Sequence, residues 1–192
     1  PNPYYTKSIA ERCMQEIFIP TMNAMNAEGR TFKGCLYFGL MLTPNGPKVI
    51  EFNCRFGDPE TQVVLPLLKT DLLTVMQAVT NSTLADVKVE FSDESCACVV
   101  MASSGYPQKY ESGFEITAED DVMKDVFIAG AKLEDGKLKT AGGRVLGVTA
   151  LGNCLSCALN NAYEKVNKVH FDNAFYRKDI GKRALQAQKG ND

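Results

Sequence analysis

The sequence predicts an α+β fold in two units, 1–91 and 94–192, and three observations predict it. The stretch 33–54 holds two apolar runs around Pro44-Asn45-Gly46-Pro47, which marks an antiparallel hairpin. Apolar residues at helical spacing mark helices before and well after it: Ile9, Cys13 and Ile17, then Leu155, Leu159, Ala162 and Val166. The polar run Ser92-Asp93-Glu94-Ser95 separates the hairpin from a second set of strand-like segments. With 192 residues, 45% hydrophobic and 23% charged, the chain can bury a core without disulfide or metal staples.

Taken in order, 6–28 reads as a helix with Ser8-x-x-Glu11 as its capping box. Pro20 must kink it or restart it, and Gly29 stops it. Strands follow over 33–43 and 48–54. Asp58-Pro59-Glu60 reads as a helix start, with Asp58 as N-cap, Pro59 in first position and Glu60 in the first turn. That helix must weaken before Pro66. Thr70 or Asp71 caps a further helix to about residue 80, and Asn81-Ser82-Thr83 breaks it. Val87–Phe91 alternates like a strand.

In the second unit, Cys96–Ser103 reads as a buried strand closed by the turn Ser104-Gly105-Tyr106-Pro107. A hairpin over 126–132 and 137–140 turns at Glu134-Asp135-Gly136. The glycine-rich Thr140–Gly152 runs from loop into strand, Asn153 caps a helix to about 168, and the basic-then-polar tail from Tyr176 frays.

Composition excludes several function classes. Lys plus Arg is 21 and Asp plus Glu is 23, so no phosphate-backbone footprint for nucleic acid is visible. Apolar runs are too short to span a membrane, and no signal segment opens the chain, so a cytoplasmic setting is expected. The seven cysteines include Cys96-x-Cys98 and Cys154-x-x-Cys157, spacings that admit zinc or redox chemistry. Core packing as small hydrophobes is favoured, above all for Cys35, Cys96 and Cys98 in apolar strand-like runs. His170 is the single histidine, which removes the commonest triads; a surface imidazole at a helix end is its plainer reading.

The chemistry concentrates in Val49-Ile50-Glu51-Phe52-Asn53-Cys54-Arg55-Phe56-Gly57-Asp58-Pro59-Glu60. On a strand Ile50, Phe52 and Cys54 face a core, while Glu51, Asn53 and Arg55 share the other side. Glu51 and Asn53 offer hard oxygens of the kind magnesium takes along with waters and substrate phosphates. Arg55 suits a transferring phosphoryl group. Gly57 ahead of a helix start suits an anion, and Asp58, turned inward, would hold a cationic amine. On residue types alone a solvated strand face with a surface salt bridge stays open. So does a plain turn at Gly142-Gly143-Arg144, where Arg144 would otherwise meet a phosphate or ribose. For Arg177-Lys178-Asp179 a solvated salt-bridged segment is favoured.

The run EFNCRFGDPETQ at 51–62 resembles the signature of the glycinamide ribonucleotide synthetase (phosphoribosylamine–glycine ligase) family of ATP-grasp enzymes. GCLYFGLMLTPNGPKVIEFNCRFGDPETQVVLPLLKTDL at 34–72, VVMASSGYP at 99–107, TAGGRVLGVTALG at 140–152 and YRKDIGKRAL at 176–185 resemble it too. The resemblance implies that 1–91 is the C-terminal part of an ATP-grasp domain, an antiparallel sheet with helices. It implies that 94–192 is a small β-rich C-terminal domain with a packed helix.

It also implies an activity: ATP, glycine and 5-phosphoribosylamine give glycinamide ribonucleotide, ADP and phosphate through a glycyl phosphate, in purine synthesis. Glu51 and Asn53 match the Mg²⁺ or Mn²⁺ ligands. Arg55 and Asp58 match positions near the transferring phosphoryl and glycine. Leu40 or Met41 fits an apolar floor for adenine, and Gly143 and Arg144 fit the substrate. The implied partners are these small molecules, and other purine-pathway domains joined covalently. The family's N-terminal domain, lid and ATP-gripping lysines are not seen, so the chain alone is expected to be inactive. Another ATP-grasp carboxylate–amine ligase and a non-catalytic interaction module are the competing readings.

Overall fold

The computed structural model describes residues 3–189. The chain forms two compact units: the chain through Asp58 together with Leu68–Ser92, and Pro59–Leu67 together with the chain from Asp93. A single cut near 92–95 therefore misses one feature, the short segment 59–67 that belongs with the second unit.

The first unit opens on a helical run of three parts: α1 (Lys7–Cys13), a wider π-helical stretch (Met14–Phe18) and α2 (Ile19–Ala27). The cap is Thr6, whose hydroxyl accepts from Ile9 N–H, rather than Ser8. Pro20 sits in the first turn of α2. Its ring would collide with a carbonyl four residues back in a regular helix, and the wider turn ahead of it relieves that clash.

β1 (Tyr37–Thr43) and β2 (Gly46–Asn53) form the expected antiparallel hairpin. β1 starts four residues later than the apolar run suggests. α3 (Thr61–Val64) and a 3-10 turn at Leu65–Leu67 follow, and the latter ends the helix at Pro66 as anticipated. α4 (Leu72–Asn81) is capped by Asp71 and ended by Ser82 in the left-handed region, φ 62. Val87–Phe91 is no strand: its backbone is tied to Lys69 and Thr70, with one isolated bridge from Phe91 to Leu68. It alternates like a strand but lies beside a loop. Among the described residues the buried apolar side chains of this unit are Cys13, Ile17, Pro47 and Ala78.

The second unit holds the main core. β3 (Ser95–Ser103), β4 (Thr117–Ala118), β5 (Val126–Ile128), β6 (Ala131–Glu134), β7 (Lys137–Thr140) and β8 (Arg144–Gly152) precede α5 (Leu155–Val166). β9 (Val169–His170), β10 (Ala174–Phe175) and α6 (Lys182–Lys189) complete it. A four-stranded sheet runs β10-β3-β8-β5. β8 is buried from Val145 to Ala150. The side of the sheet carrying Ala97, Val99 and Met101 joins Ala158, Leu159, Ala162 and Val166 of α5 in one cluster. The other side meets 59–67: the α-carbon hydrogen of Gly147 points toward Cys98 Sγ and the Gln62 stem.

Several boundaries differ from expectation. β6 and β7 pair across Asp135-Gly136, but β5 leaves that hairpin to pair with β8. α5 is capped by Cys154, not Asn153. The tail does not fray at once. The Tyr163 hydroxyl donates to the Arg177 carbonyl (2.8 Å) and accepts from Ile180 N–H (3.2 Å), and α6 then forms with Leu185 against the core. His170 is exposed on β9, past the helix end. Arg177 and Asp179 make the solvated pair expected of them, at 2.8 Å.

Two measurements test this account. Leu146 is 1% exposed, so Leu146→Ala lowers the stability of the second unit by about 2–5 kcal/mol, read from urea denaturation. Asp71 Oδ1 accepts from the Thr74 N–H (2.8 Å) and hydroxyl (3.0 Å), which hold its carboxyl below the ordinary 3.8. That cap is fully present above the unfolded value and is lost as pH falls through the lower folded one. Asp71→Asn keeps an acceptor that does not titrate. Its thermal midpoint therefore falls less steeply than that of the wild type below pH 3.8.

Candidate functional site

The register of the hairpin sets the site. Phe52 lies opposite Phe38, Glu51 opposite Gly39 and Asn53 opposite Tyr37. Phe52 meets Phe38 edge to face at 5.3 Å, and Phe38 lies 4.4 Å from Phe18 of the π-helical stretch. That stack takes one side of the hairpin. Glu51 and Asn53 flank Phe52 along the strand and so point to the other side. Asn53 Nδ2 donates to Glu51 Oε1 at 3.0 Å, with Glu51 exposed and Asn53 half-buried. Gly39 makes room for this: a Cβ there would come within 2.8 Å of Glu51 Cγ, so the missing side chain lets the glutamate stem lie across β1.

The register shifts after Gly39: Leu40 pairs with Val49, which leaves Ile50 as an extra residue in β2. This corrects the expected core-facing row of Ile50, Phe52 and Cys54. Ile50 is 62% exposed and Phe52 50% exposed, and Cys54 is exposed as well. Alternation along β1 puts Met41 on the Glu51 side and Leu40 on the Phe38 side. The two adenine-floor candidates are thus separated by the sheet.

Arg55 lies two residues past the strand end, so the pleat does not carry it into line with Glu51 and Asn53. Its Nη1 donates to the Phe56 carbonyl at 2.9 Å. Asp58 opens a turn and does not cap a helix. α3 starts at Thr61 with Glu60 in the cap position and lasts four residues. One turn ended by Pro66 is too short to serve as the anion-binding terminus that the sequence suggested. Gly57 beside it is buried.

Gly143 and Arg144 belong to the second unit. A Cβ on Gly143 would meet the Tyr106 ring at 2.1 Å. Ser103 N–H donates to the Gly143 carbonyl (2.8 Å) and its hydroxyl to that of Gly142 (3.1 Å). The double glycine thus serves close packing of the turn, Gly143 against the Tyr106 ring and Gly142 against Gly130. Arg144 starts β8, opposite Ala102, with an exposed side chain.

Glu51 and Asn53 fit a hard cation in donor type. With one carboxylate oxygen taken by the Asn53 amide N–H, the other and Asn53 Oδ1 remain as oxygen ligands. Among the described residues no cluster of three His, Cys, Asp or Glu forms a complete cage. Two protein oxygens suit a cation that completes its shell with water and phosphate. Elsewhere in the first unit, a cavity of about 600 Å³ lies between Phe56, Lys33–Cys35 and the Leu72, Val75, Met76 and Val79 face of α4. The helical spacing of that face is in the sequence, but nothing there shows that it stays uncovered among the described residues.

Cys96 bears out its packing role: half-buried on β3, its thiol is pushed up to about 11 by burial, so it stays protonated. Cys154 and Cys157 do not. They are joined in a disulfide at the start of α5.

Residues 1–61 match the family described as the ATP-grasp (A) domain of phosphoribosylglycinamide synthetase. Residues 96–183 match the C domain of the same synthetase. A phosphoribosylamine–glycine ligase of Caldanaerobacter subterraneus is 47% identical over 182 residues, 94% of this chain and 43% of that protein. The trifunctional purine biosynthetic protein adenosine-3 of Gallus gallus is 48% identical over 189 residues, 96% of this chain and 19% of that one. The crystal structure of the Thermotoga maritima phosphoribosylamine–glycine ligase superposes with a TM-score of 0.79 at 36% identity, covering 91% of this chain and 44% of that one. Urea amidolyase of K. lactis shares only the fold, with a TM-score of 0.63 at 11% identity. The chain spans less than half the length of the ligases it matches, 43% to 45% for those of Caldanaerobacter, Clostridium acetobutylicum and Pasteurella multocida. With two successive domains of one synthetase matched in order, the chain belongs to the phosphoribosylglycinamide synthetase family.

Proposed function

We propose that the chain is part of an ATP-dependent carbon–nitrogen ligase that joins glycine to 5-phosphoribosylamine, forming glycinamide ribonucleotide, ADP and phosphate. The observation that carries this reading is the pairing of Glu51 with Asn53 on the side of β2 away from the Phe38–Phe52 stack. It lies within a segment that matches the family's ATP-grasp domain. A ligase of this kind phosphorylates the glycine carboxylate and lets the amine of phosphoribosylamine displace phosphate. Such transfer depends on positioning and on neutralising charge, and needs no histidine base. A bound Mg²⁺ or Mn²⁺ would supply that neutralisation. Glu51 and Asn53 would hold it, and Met41 would face adenine from the same side of the hairpin. Arg55 and Asp58, in the bend and turn that follow β2, would act toward phosphoryl and glycine. Gly143 would hold its turn in shape while Arg144 meets the substrate's phosphate or ribose.

Covalent fusion to other purine-pathway domains is the arrangement named for the Gallus gallus relative, and we propose it for the parent of this chain. Among the described residues no helix is long and apolar enough to cross a membrane, and a cytoplasmic site follows from the proposed pathway. The 192-residue chain by itself turns over no ATP with glycine and phosphoribosylamine; measurable turnover overturns the assignment of the missing machinery to other segments. In the parent enzyme Glu51→Gln lowers kcat by about 100-fold or more, the scale of losing a charge stabiliser at a transferring group, with an unchanged circular dichroism spectrum. A rate equal to wild type removes the metal role. Mn²⁺ titrated with ADP binds the chain more tightly than it binds Glu51→Ala, and identical binding counts against the site.

A further inference from the structure

The start of α5 carries chemistry that the ligase reading does not use. Cys154 caps this 12-residue helix, and its sulfur accepts from the Cys157 N–H at 3.0 Å. The Ser156 hydroxyl lies 3.0 Å from the same sulfur. A disulfide sulfur carries no proton, so Ser156 is the donor. The bond joins Cys154 to Cys157 across a Cα separation of 5.1 Å. The two sulfurs differ in setting: Cys157 is an exposed residue, while Cys154 is half-buried and holds both hydrogen bonds.

That asymmetry decides the direction of reaction. In thiol–disulfide exchange, attack falls on the accessible sulfur, and the sulfur better stabilised as thiolate leaves. We infer that Cys154–Cys157 is a thiol–disulfide exchange site for low-molecular-weight thiols, with Cys157 as the attacked sulfur and Cys154 as the leaving one. A thiolate RS⁻ forms a bond to Cys157 Sγ, the Cys154–Cys157 bond breaks, and its electron pair goes to Cys154 Sγ. The N–H of Cys157, the hydroxyl of Ser156 and the helix N-terminus all face that new negative charge. A second RS⁻ attacks the R sulfur of the mixed disulfide and releases Cys157. Two RSH are oxidised to RSSR, the protein gains two electrons, and the two protons of RSH end on Cys154 and Cys157. The remaining cysteines, at 13, 35, 54, 96 and 98, take no part in that disulfide.

The test uses the 192-residue chain with glutathione buffers of varied reduced-to-oxidised ratio. Samples are quenched in acid, unfolded, alkylated and mapped by peptide mass. The alkylatable thiols rise from five to seven as the buffer becomes reducing and fall back when it is reoxidised. At short times glutathione is found on Cys157 and the alkyl group on Cys154. Ser156→Ala leaves both cysteines in place and slows opening by about fivefold, the equivalent of one ordinary hydrogen bond. A count that never moves between five and seven, glutathione mapped to Cys154, or an unchanged opening rate in Ser156→Ala each overturns the proposal.

Discussion

Successive side chains of an extended strand must leave the sheet on opposite sides, and both units rest on that constraint. In the hairpin it forces a division of labour within three residues. Phe52 is committed to the aromatic stack with Phe38 and Phe18, so Glu51 and Asn53 are delivered together to the far side. In the larger sheet it separates Ala97, Val99 and Met101, sealed in the cluster with α5, from Cys96 and Cys98 on the reverse side. Candidate site and core are two uses of one backbone geometry.

The parts legible in sequence are those that this constraint or a local cap dictates. The hairpin was readable because Pro44-Asn45-Gly46-Pro47 permits little else, and α5 because its apolar stripe repeats without interruption. Local pattern misleads where the deciding partner is remote. Val87–Phe91 has the alternation of a strand, but its hydrogen bonds go to Lys69 and Thr70, which no local pattern reveals. Ile50 is displaced by a bulge set through the opposite strand. Asp58-Pro59-Glu60 has the composition of a helix start, yet the helix begins after it and Pro66 ends it within one turn.

The candidate site was legible to the same degree. Alternation puts Glu51 and Asn53 on one side of the strand, which the register realises, while their metal role comes from their oxygen donors and the family resemblance. Leu40 and Met41 could not be told apart from sequence because the choice depends on which side the stack occupies. Arg55 and Asp58 lie beyond the strand, where alternation has no authority. The cysteines divide on similar lines. Burial explains Cys96, whereas Cys154 and Cys157 are adjacent because one helical turn brings positions three apart together, the redox reading that the spacing admits beside the favoured core packing.

The placement of 59–67 has a wider meaning. The chain passes from the first unit to the second at Asp58, returns at Leu68 and leaves again after Ser92. The two bodies are therefore threaded through each other in sequence although each is compact in space. Genetic exchange that cuts once at residue 92 would hand on a sheet stripped of the strip beneath its central strand. The segment from Pro59 to Leu67 is thus inherited as structure by one unit and as sequence by the other, which ties the evolutionary fate of the two together.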